Sequence, residues 1–130
     1  MQVTRKKWME LASAAWATAP HAYLYGTTHV GAAVMSAEGN VFVGCNIEHR
    51  FRSHDIHAEV NAISSMVAGG YPHLIAVMVV AKRRRFTPCG ACLDWILELG
   101  GPKCAVGFQS AKGHRIRVYD ASDLMPHYPI

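Results

Sequence analysis

The sequence lacks several features that would indicate a membrane, secreted or disordered protein. It has no run of about 18 apolar residues, the length that a membrane-spanning helix needs. The first residues, MQVTRKKW, are too polar for a signal peptide. Charged residues make up only 17 % of the chain and apolar residues 51 %, a balance typical of folded globular domains. There is no internal repeat, low-complexity tract or linker, so residues 1–130 are predicted to form a single domain.

Cysteine is also scarce, with four residues in the chain. Four cysteines could form two disulfides in a secreted protein. The C-x-x-C spacing of Cys89 and Cys92 is better explained by a metal, which leaves Cys45 and Cys104 as reduced thiols. We therefore expect a cytoplasmic protein.

Two short motifs carry the chemistry, His57-Ala58-Glu59 and Pro88-Cys89-Gly90-Ala91-Cys92. If a helix begins at Pro88, both sulfur atoms face the same way from its first turn, where the helix dipole favours thiolates. His57 adds a third ligand, and three protein ligands with an open fourth position are typical of catalytic Zn²⁺. Glu59 is then placed to move a proton beside the metal. The order H-x-E…P-C-x-x-C is the signature of zinc nucleobase deaminases.

The alternative is a structural zinc site, which requires a fourth protein ligand. No candidate has persuasive spacing. The candidates are His49, His54, Asp55, Cys45 and Cys104.

The chain resembles the cytidine deaminase superfamily, and within it the small nucleoside-deaminating branch, over nearly its whole length. Besides the two motifs, the resemblance rests on Val30-Gly31-Ala32-Ala33, Gly44-Cys45-Asn46-Ile47-Glu48 and Leu124-Met125-Pro126. Blasticidin S deaminases are similar in length but keep less of the segment from Gly44 to Glu48. The resemblance implies an enzyme that converts cytidine or deoxycytidine to the uridine product and ammonia, with zinc as cofactor.

The resemblance also implies a role for each site residue. The zinc ligands would be His57, Cys89 and Cys92, and Glu59 would carry a proton from the attacking water to the base. The N–H of Ala58 and the carbonyl of Thr87 would contact the base, while Asn46 and Glu48 would hold the ribose. Judged without the resemblance, the favoured interpretation is that Asn46 closes a turn and that Glu48 faces solvent.

Two departures from the family pattern concern the charge of the metal site. Many members have Cys in the place of His57 and Arg in the place of Leu93. Zinc with three thiolates carries one negative charge, which an adjacent Arg offsets, whereas zinc with two thiolates and a neutral imidazole carries none. A buried unpaired Arg would be unfavourable here, so Leu93 is consistent with His57.

A third departure concerns the substrate. The family commonly has a Phe in the place of Thr28 that stacks on the base, and often another aromatic residue near a longer C-terminus. A threonine cannot stack, so another aromatic side chain would have to replace the ring, either from this chain or from a neighbouring subunit. The candidates are Tyr23, Tyr25, Phe51, Trp95, His127 and Tyr128.

Four of the thirteen basic residues lie in one run, Lys82-Arg83-Arg84-Arg85, in a chain of net charge +4. Such a run suits a phosphate or a single strand, or is simply a solvated loop or a subunit contact. Only Phe86 adds an aromatic ring, so no stacking platform for bases is evident and we do not expect a nucleic-acid partner.

The pattern of elements predicts an α/β fold, with a five-stranded mixed sheet and helices on both faces in three layers. Helices are predicted over 4–19, 57–68 and 89–99, and strands over 30–37, 41–45, 75–81, 104–109 and 114–119. On the helix over 57–68, the buried face is predicted to contain Val60, Ile63, Ser64 and Val67.

Three functions remain open at this point. The first is a cytidine or deoxycytidine deaminase, and the second is a deaminase of another amino-heterocycle such as blasticidin S or a free base. The third is a nucleic-acid deaminase or binding module that uses residues 82–85. We expect a small-molecule substrate and a homo-oligomer, specifically a tetramer, because the resemblance is to oligomeric enzymes and no segment forms an obvious lid.

Overall fold

A mixed β-sheet lies at the centre of the chain in a computed structural model that describes residues 2–129. The helices and strands, in chain order, are α1 (Arg5–Thr18), β1 (Val30–Ser36), β2 (Val41–Cys45), α2 (Ala58–Ala68), β3 (Leu74–Ala81), α3 (Gly90–Gly100), β4 (Ala105–Gln109), β5 (Arg117–Asp120) and α4 (Ala121–Leu124). Single 3₁₀ turns lie at Ala19–His21 and Arg52–His54. None of the helices in the described part of the chain has the length and apolar character needed to cross a bilayer.

The five strands are arranged in the order β2-β1-β3-β4-β5. Strand β1 pairs antiparallel with β2 and β3, β3 pairs parallel with β4, and β4 pairs antiparallel with β5. The hairpin predicted from the segments around Glu38-Gly39-Asn40 is therefore present, and the five-stranded mixed sheet is confirmed.

Helices cover both faces of the sheet. Alternate residues of β3 point to opposite faces, so its buried side chains divide between two core clusters. On one face, Met78 and Val80 belong to a core cluster that contains the buried residues of α1. On the other face, Val77 and Val79 belong to a cluster that contains buried residues of α2, α3 and α4. The three-layer arrangement follows from this division. Eight consecutive residues of β3 are apolar because both of its faces are covered.

Helix α1 begins where the sequence predicts it. Thr4 is the N-cap, and its hydroxyl accepts a hydrogen bond from the Lys7 N–H at 3.2 Å. The predicted stripe of apolar residues is the buried one. It comprises Trp8, Leu11, Ala12, Ala15, Trp16 and Ala19.

The prediction for the buried face of α2 is wrong for three of its four residues. Ile63 is buried, but Val67 is 47 % exposed, Ser64 is exposed and Val60 is only half-buried. The buried residues are instead Ala58, Glu59, Ala62, Ile63 and Met66. The apolar pattern misled because the helix turns a carboxylate, Glu59, towards the protein interior and leaves a valine in solvent.

Helix α2 lies very close to β2, and Gly44 allows this approach. A Cβ atom on Gly44 would lie 2.4 Å from the Ala62 nitrogen and 2.7 Å from the Ala58 carbonyl oxygen. Both atoms belong to the helix backbone, so they cannot move aside independently. The side chain of Asn61 adds a second link, because its Oδ1 accepts a hydrogen bond from the Cys45 N–H at 3.0 Å. The end of β2 thereby fixes the start of α2.

Candidate zinc centre and active site

Three potential metal ligands meet at the N-termini of two helices. His57 is the N-cap of α2 and Cys89 is the N-cap of α3, while Cys92 lies in the first turn of α3. The Nδ1 atom of His57 lies 3.3 Å from both sulfur atoms, and the two sulfur atoms are 3.6 Å apart. Neither N-cap side chain makes a capping hydrogen bond to the backbone of its own helix, so both are available to a metal.

These three distances fit a tetrahedral zinc ion. With Zn–S bonds of about 2.3 Å and Zn–N bonds of about 2.0–2.1 Å, the sulfur–sulfur separation would be about 3.8 Å and the sulfur–nitrogen separation about 3.5 Å. The donor set of two thiolates and one imidazole is also one that zinc prefers. The five candidates for a fourth ligand are not members of the cluster, which in residues 2–129 consists of His57, Cys89 and Cys92.

The environment of the sulfur atoms differs between the two cysteines. Cys92 is buried, whereas Cys89 is exposed to the cavity described below. Burial raises the pKa of the Cys92 thiol well above its usual range, and the nearby Glu59 and Cys89 raise it further. A cation is therefore needed to hold Cys92 as a thiolate, which is consistent with a metal at this position.

Glu59 follows His57 by two residues and is the one charged residue among the buried residues of 2–129, with 3 % of its surface exposed. Burial raises the pKa of its carboxyl group, and the neighbouring His57 opposes that change. A carboxyl group whose pKa is raised by burial is typical of residues that act as general acid–base catalysts.

A cavity of about 480 Å³ opens onto the ligand cluster. Seven of the eight residues that the sequence predicts for the site line this cavity, and the eighth, Cys92, lies behind Cys89 in the cluster. The seven are Asn46, Glu48, His57, Ala58, Glu59, Thr87 and Cys89. They meet because β2 and β3 both run antiparallel to β1 and therefore end at the same end of the sheet. The chain passes from there into the N-termini of α2 and α3.

Asn46 is tied to the backbone that precedes β1. Its Oδ1 accepts a hydrogen bond from the Val30 N–H at 2.9 Å, and its Nδ2 donates one to the Thr28 carbonyl at 2.9 Å. The side chain is buried, with 8 % exposed. One N–H and one lone pair of the amide remain for a ligand. Asn46 therefore ties the end of β2 to the segment before β1 and also lines the cavity, and these long-range bonds do not close a local turn.

Glu48 is not a solvated carboxylate. Its Oε1 accepts hydrogen bonds from the N–H groups of Tyr25 and Gly26, both at 2.7 Å, and its Oε2 lies 3.1 Å from the Arg52 guanidinium. The Gly26 hydrogen bond, the Tyr25 hydrogen bond and Arg52 lower the pKa of Glu48. Glu48 is thus held ionised as an acceptor at the cavity wall.

Comparison with known proteins identifies the family. Residues 3–108 match the family model described as "Cytidine and deoxycytidylate deaminase zinc-binding region". The chain belongs to this deaminase family. It is accordingly a zinc-dependent hydrolase of the class that acts on carbon–nitrogen bonds in cyclic amidines.

Solved and curated relatives agree with this assignment. The crystal structure of cytidine deaminase from Burkholderia pseudomallei has a TM-score of 0.86 and 36 % identity, covering 95 % of this chain and 98 % of that one. Cytidine deaminase of Mycobacterium tuberculosis strain CDC 1551 is 30 % identical over 92 % of this chain and 86 % of its own. A probable cytidine deaminase of Dictyostelium discoideum is 35 % identical over 78 residues, and the match spans about half, 53 %, of its length.

This chain has Thr28 where the family commonly has a stacking Phe, and the structure shows which residues surround that position. The Thr28 hydroxyl accepts a hydrogen bond at 2.6 Å from the guanidinium of Arg83, and both residues line the cavity. The aromatic ring in the lining is that of Phe86, whose centroid lies 6.5 Å from that of Phe108. The sequence did not predict Arg83 and Phe86 as residues of the catalytic cavity, because no local pattern distinguishes Arg83 from the other members of the basic run.

None of the six aromatic residues suggested as replacements lines this cavity. Tyr23, Tyr25, Phe51 and Trp95 are each more than half exposed. The hydroxyl of Tyr128 donates a hydrogen bond to Asp94 of α3, and its ring packs against the core. Arg52 also lines the cavity, and its guanidinium pairs with Asp55 at 2.9 Å as well as with Glu48.

Proposed function

We propose that this family member deaminates cytidine or deoxycytidine, releasing ammonia and the uridine or deoxyuridine product. The observation that carries the proposal is the placement of the ligand cluster and the buried Glu59 in the same cavity as Asn46 and Glu48. A cavity with groups for both an amino-heterocycle and a sugar suits a nucleoside better than a free base. The names of the relatives in Burkholderia and Mycobacterium support the same substrate.

His57, Cys89 and Cys92 would hold the zinc ion. A bound zinc ion supplies Lewis acidity and lowers the pKa of a coordinated water to about 7. The part of the chain described here contributes no fourth ligand to the cluster, which leaves the metal accessible from the cavity.

Glu59 is proposed to carry the protons of the reaction. Its carboxylate takes a proton from the attacking water and delivers it to the ring nitrogen of the base. A second proton transfer, to the departing amine, completes the exchange of an amino group for a carbonyl oxygen, so that one water is consumed for each ammonia released. Burial of Glu59 suits this role, because a carboxyl group with a raised pKa gives up its proton less readily to bulk water.

The base is proposed to lie between backbone groups of Ala58 and Thr87. Ala58 is the first residue of α2, so its N–H is one of those that have no partner inside the helix. That N–H can donate to the ring carbonyl of the base, and the Thr87 carbonyl can accept from the exocyclic amine. Backbone groups at a helix N-terminus are rigid, which orients the base before reaction.

Asn46 and Glu48 are proposed to contact the sugar hydroxyls. Each already has partners within the chain, so an empty sugar site leaves neither group wholly unpaired. The preference for a nucleoside over its base should therefore be near the low end of the range for a lost hydrogen bond, about tenfold.

The base must be covered by something other than the missing ring at Thr28. We assign this role to the Arg83 guanidinium and the Phe86 ring, which line the cavity from the segment after β3. A guanidinium plane stacks on a heterocycle much as an aromatic ring does.

A homo-oligomer, specifically a tetramer, is proposed as the assembly. Exposed apolar side chains are available for such an interface, because several large ones face solvent on the described surface. They include Met9, Tyr23, Tyr25, Val41, Val43, Phe51, Trp95 and Val118. Sedimentation equilibrium at assay concentration tests this proposal, and a monomer would contradict it. The expected cytoplasmic location stays a prediction.

The substrate is tested by following absorbance changes for cytidine, deoxycytidine, cytosine and blasticidin S with zinc-loaded protein. We expect turnover of the two nucleosides and about tenfold lower kcat/KM for cytosine. Cys92→Ser should lose both the zinc and the activity. If the protein deaminates blasticidin S or cytosine but not cytidine, it is a deaminase of another amino-heterocycle. This second candidate stays open because residue 28 has no aromatic ring.

A further inference from the structure

A second cavity, of about 600 Å³, lies beside the catalytic one. The two cavities share Thr27, Thr28 and Arg83, which form the wall between them. The apolar part of the second cavity comes from Trp16, Ala19 and Pro20, and its remaining lining residues are His29, Lys82 and Lys112. The proposed deamination does not use this cavity.

The second cavity is strongly cationic. Lys82, Arg83 and Lys112 line it, and no aspartate or glutamate is among its lining residues. Within residues 2–129 the ion pairs are made by Lys7 and Arg52, so the three cations of the cavity are not neutralised by a carboxylate of the described chain. An uncompensated group of positive charges attracts an anion.

The three cations come from two separate parts of the chain. Lys82 and Arg83 follow the end of β3, while Lys112 lies in the turn between β4 and β5. These segments come together because β3 and β4 pair in parallel, with Val80 opposite Gln109, so the chain leaves both strands at the same end of the sheet. Gln109 also joins α1 to the β4–β5 turn, because it accepts a hydrogen bond from the Trp16 indole N–H and donates one to the His114 carbonyl, each at 2.6 Å. The charge at the cavity therefore results from the fold and not only from the basic run.

We propose that this second cavity binds a phosphoryl group, with Lys82, Arg83 and Lys112 as its cationic contacts. A phosphate carries more negative charge than a carboxylate and offers several acceptor oxygens, which matches a cavity lined by three cations. Two sources are compatible with this chemistry. One is a free phosphate or pyrophosphate ion, and the other is the phosphate of a nucleotide whose base occupies the catalytic cavity. The second source rests on the proposed function.

Arg83 links the two cavities. Its guanidinium donates to the Thr28 hydroxyl in the shared wall, and a phosphoryl group in the second cavity would compete for the same donors. Occupation of the second cavity should therefore alter the apparent affinity of the catalytic cavity, and the reverse must hold to the same degree.

Isothermal titration calorimetry of the zinc-loaded protein with pyrophosphate, at constant ionic strength, tests the proposal without requiring turnover. Lys112→Ala removes a lining cation, and Arg85→Ala is the matched control because Arg85 belongs to the basic run but lines neither cavity. We expect Kd to rise at least about fivefold in Lys112→Ala and less than about twofold in Arg85→Ala. Absence of binding to the unsubstituted protein, or equal weakening in both variants, would overturn the proposal.

A second measurement distinguishes the two sources. For each protein, kcat/KM is compared between deoxycytidine and its 5′-monophosphate. If the site binds the phosphate of the substrate, kcat/KM for the monophosphate should fall at least about fivefold in Lys112→Ala but not in Arg85→Ala. In both variants, kcat/KM for deoxycytidine should stay unchanged. An unchanged ratio together with pyrophosphate binding assigns it to a separate anion. If neither compound is deaminated, the proposed function fails while the calorimetry still decides the anion site.

Discussion

The Asn46 amide accepts a hydrogen bond from the Val30 N–H and donates one to the Thr28 carbonyl, so it joins the end of β2 to the segment that enters β1. Because the same side chain lines the catalytic cavity, substrate binding and local structure depend on one residue. A substitution at Asn46 thus cannot be interpreted through the sugar alone.

Asn46→Ala should reduce the free energy of unfolding by about 1–3 kcal/mol, because it leaves the buried Val30 N–H and Thr28 carbonyl without their partner. We also expect it to remove most of the preference for cytidine over cytosine. Urea denaturation and the two kcat/KM values measure these effects separately, and zinc content should stay unchanged. A variant with normal stability would show that water replaces the amide.

Glu59→Gln should keep one zinc per chain while turnover falls by roughly 10²-fold or more, the usual range for losing a general acid–base group. Glutamine keeps the volume of the buried side chain but cannot carry a proton. Elemental analysis and single-turnover kinetics on the same preparation test this expectation. Near-normal turnover with zinc bound would assign proton transfer to another group.

The structure brings together His57, Cys89 and Cys92, the three metal ligands that the sequence predicts. Each of the two motifs places its side chains through short spacings at a helix start, which are local properties. The sequence predicted the buried face of α2 badly. Whether Glu59 or Val67 is buried depends on which other elements pack against the helix, and that is a property of the whole fold. The sequence also did not predict that Arg83 lines the catalytic cavity. A residue in a basic run becomes a cavity wall only through its approach to Thr28, 55 positions away in the chain.

Gly44→Ala should destabilise the protein by about 1–3 kcal/mol, because the added Cβ would lie 2.4 Å from the Ala62 nitrogen and would force α2 away from β2. Activity should also fall, since α2 carries Glu59. Gly90→Ala is the control, because its Cβ would contact only the Met125 methyl group at 3.8 Å. Thermal unfolding of both variants provides the comparison, and equal melting temperatures would contradict the proposed close approach.

Stability in acid should depend on Glu48. Its pKa is lower in the folded chain than its ordinary value of about 4.3, because the N–H groups of Gly26 and Tyr25 and the Arg52 guanidinium favour the carboxylate. A carboxyl group of this kind contributes stability above its unfolded pKa, and that contribution is lost as the pH falls through the folded pKa. The unfolding free energy should therefore decline below about pH 4.3, and less steeply in Glu48→Gln.

Glu38→Gln is the matched control for this pH dependence, because Glu38 is exposed in the β1–β2 turn. Its profile should follow that of the unsubstituted protein. Identical slopes for Glu48→Gln and the unsubstituted protein would mean that other carboxylates account for the acid sensitivity.

The proposed covering of the base by Arg83 can be tested by restoring the ring that the family commonly has. Because the Thr28 hydroxyl and the guanidinium are in contact, a phenyl group at residue 28 needs the space that Arg83 occupies. Thr28→Phe should therefore improve binding only when Arg83 is shortened. In the Thr28→Phe/Arg83→Ala double variant, we expect KM for cytidine to fall about 2- to 10-fold relative to Arg83→Ala, as a stacking contact of about 0.5–1.5 kcal/mol implies. Thr28→Phe alone should raise KM, and a fall of equal size in both backgrounds would show that Arg83 does not cover the base.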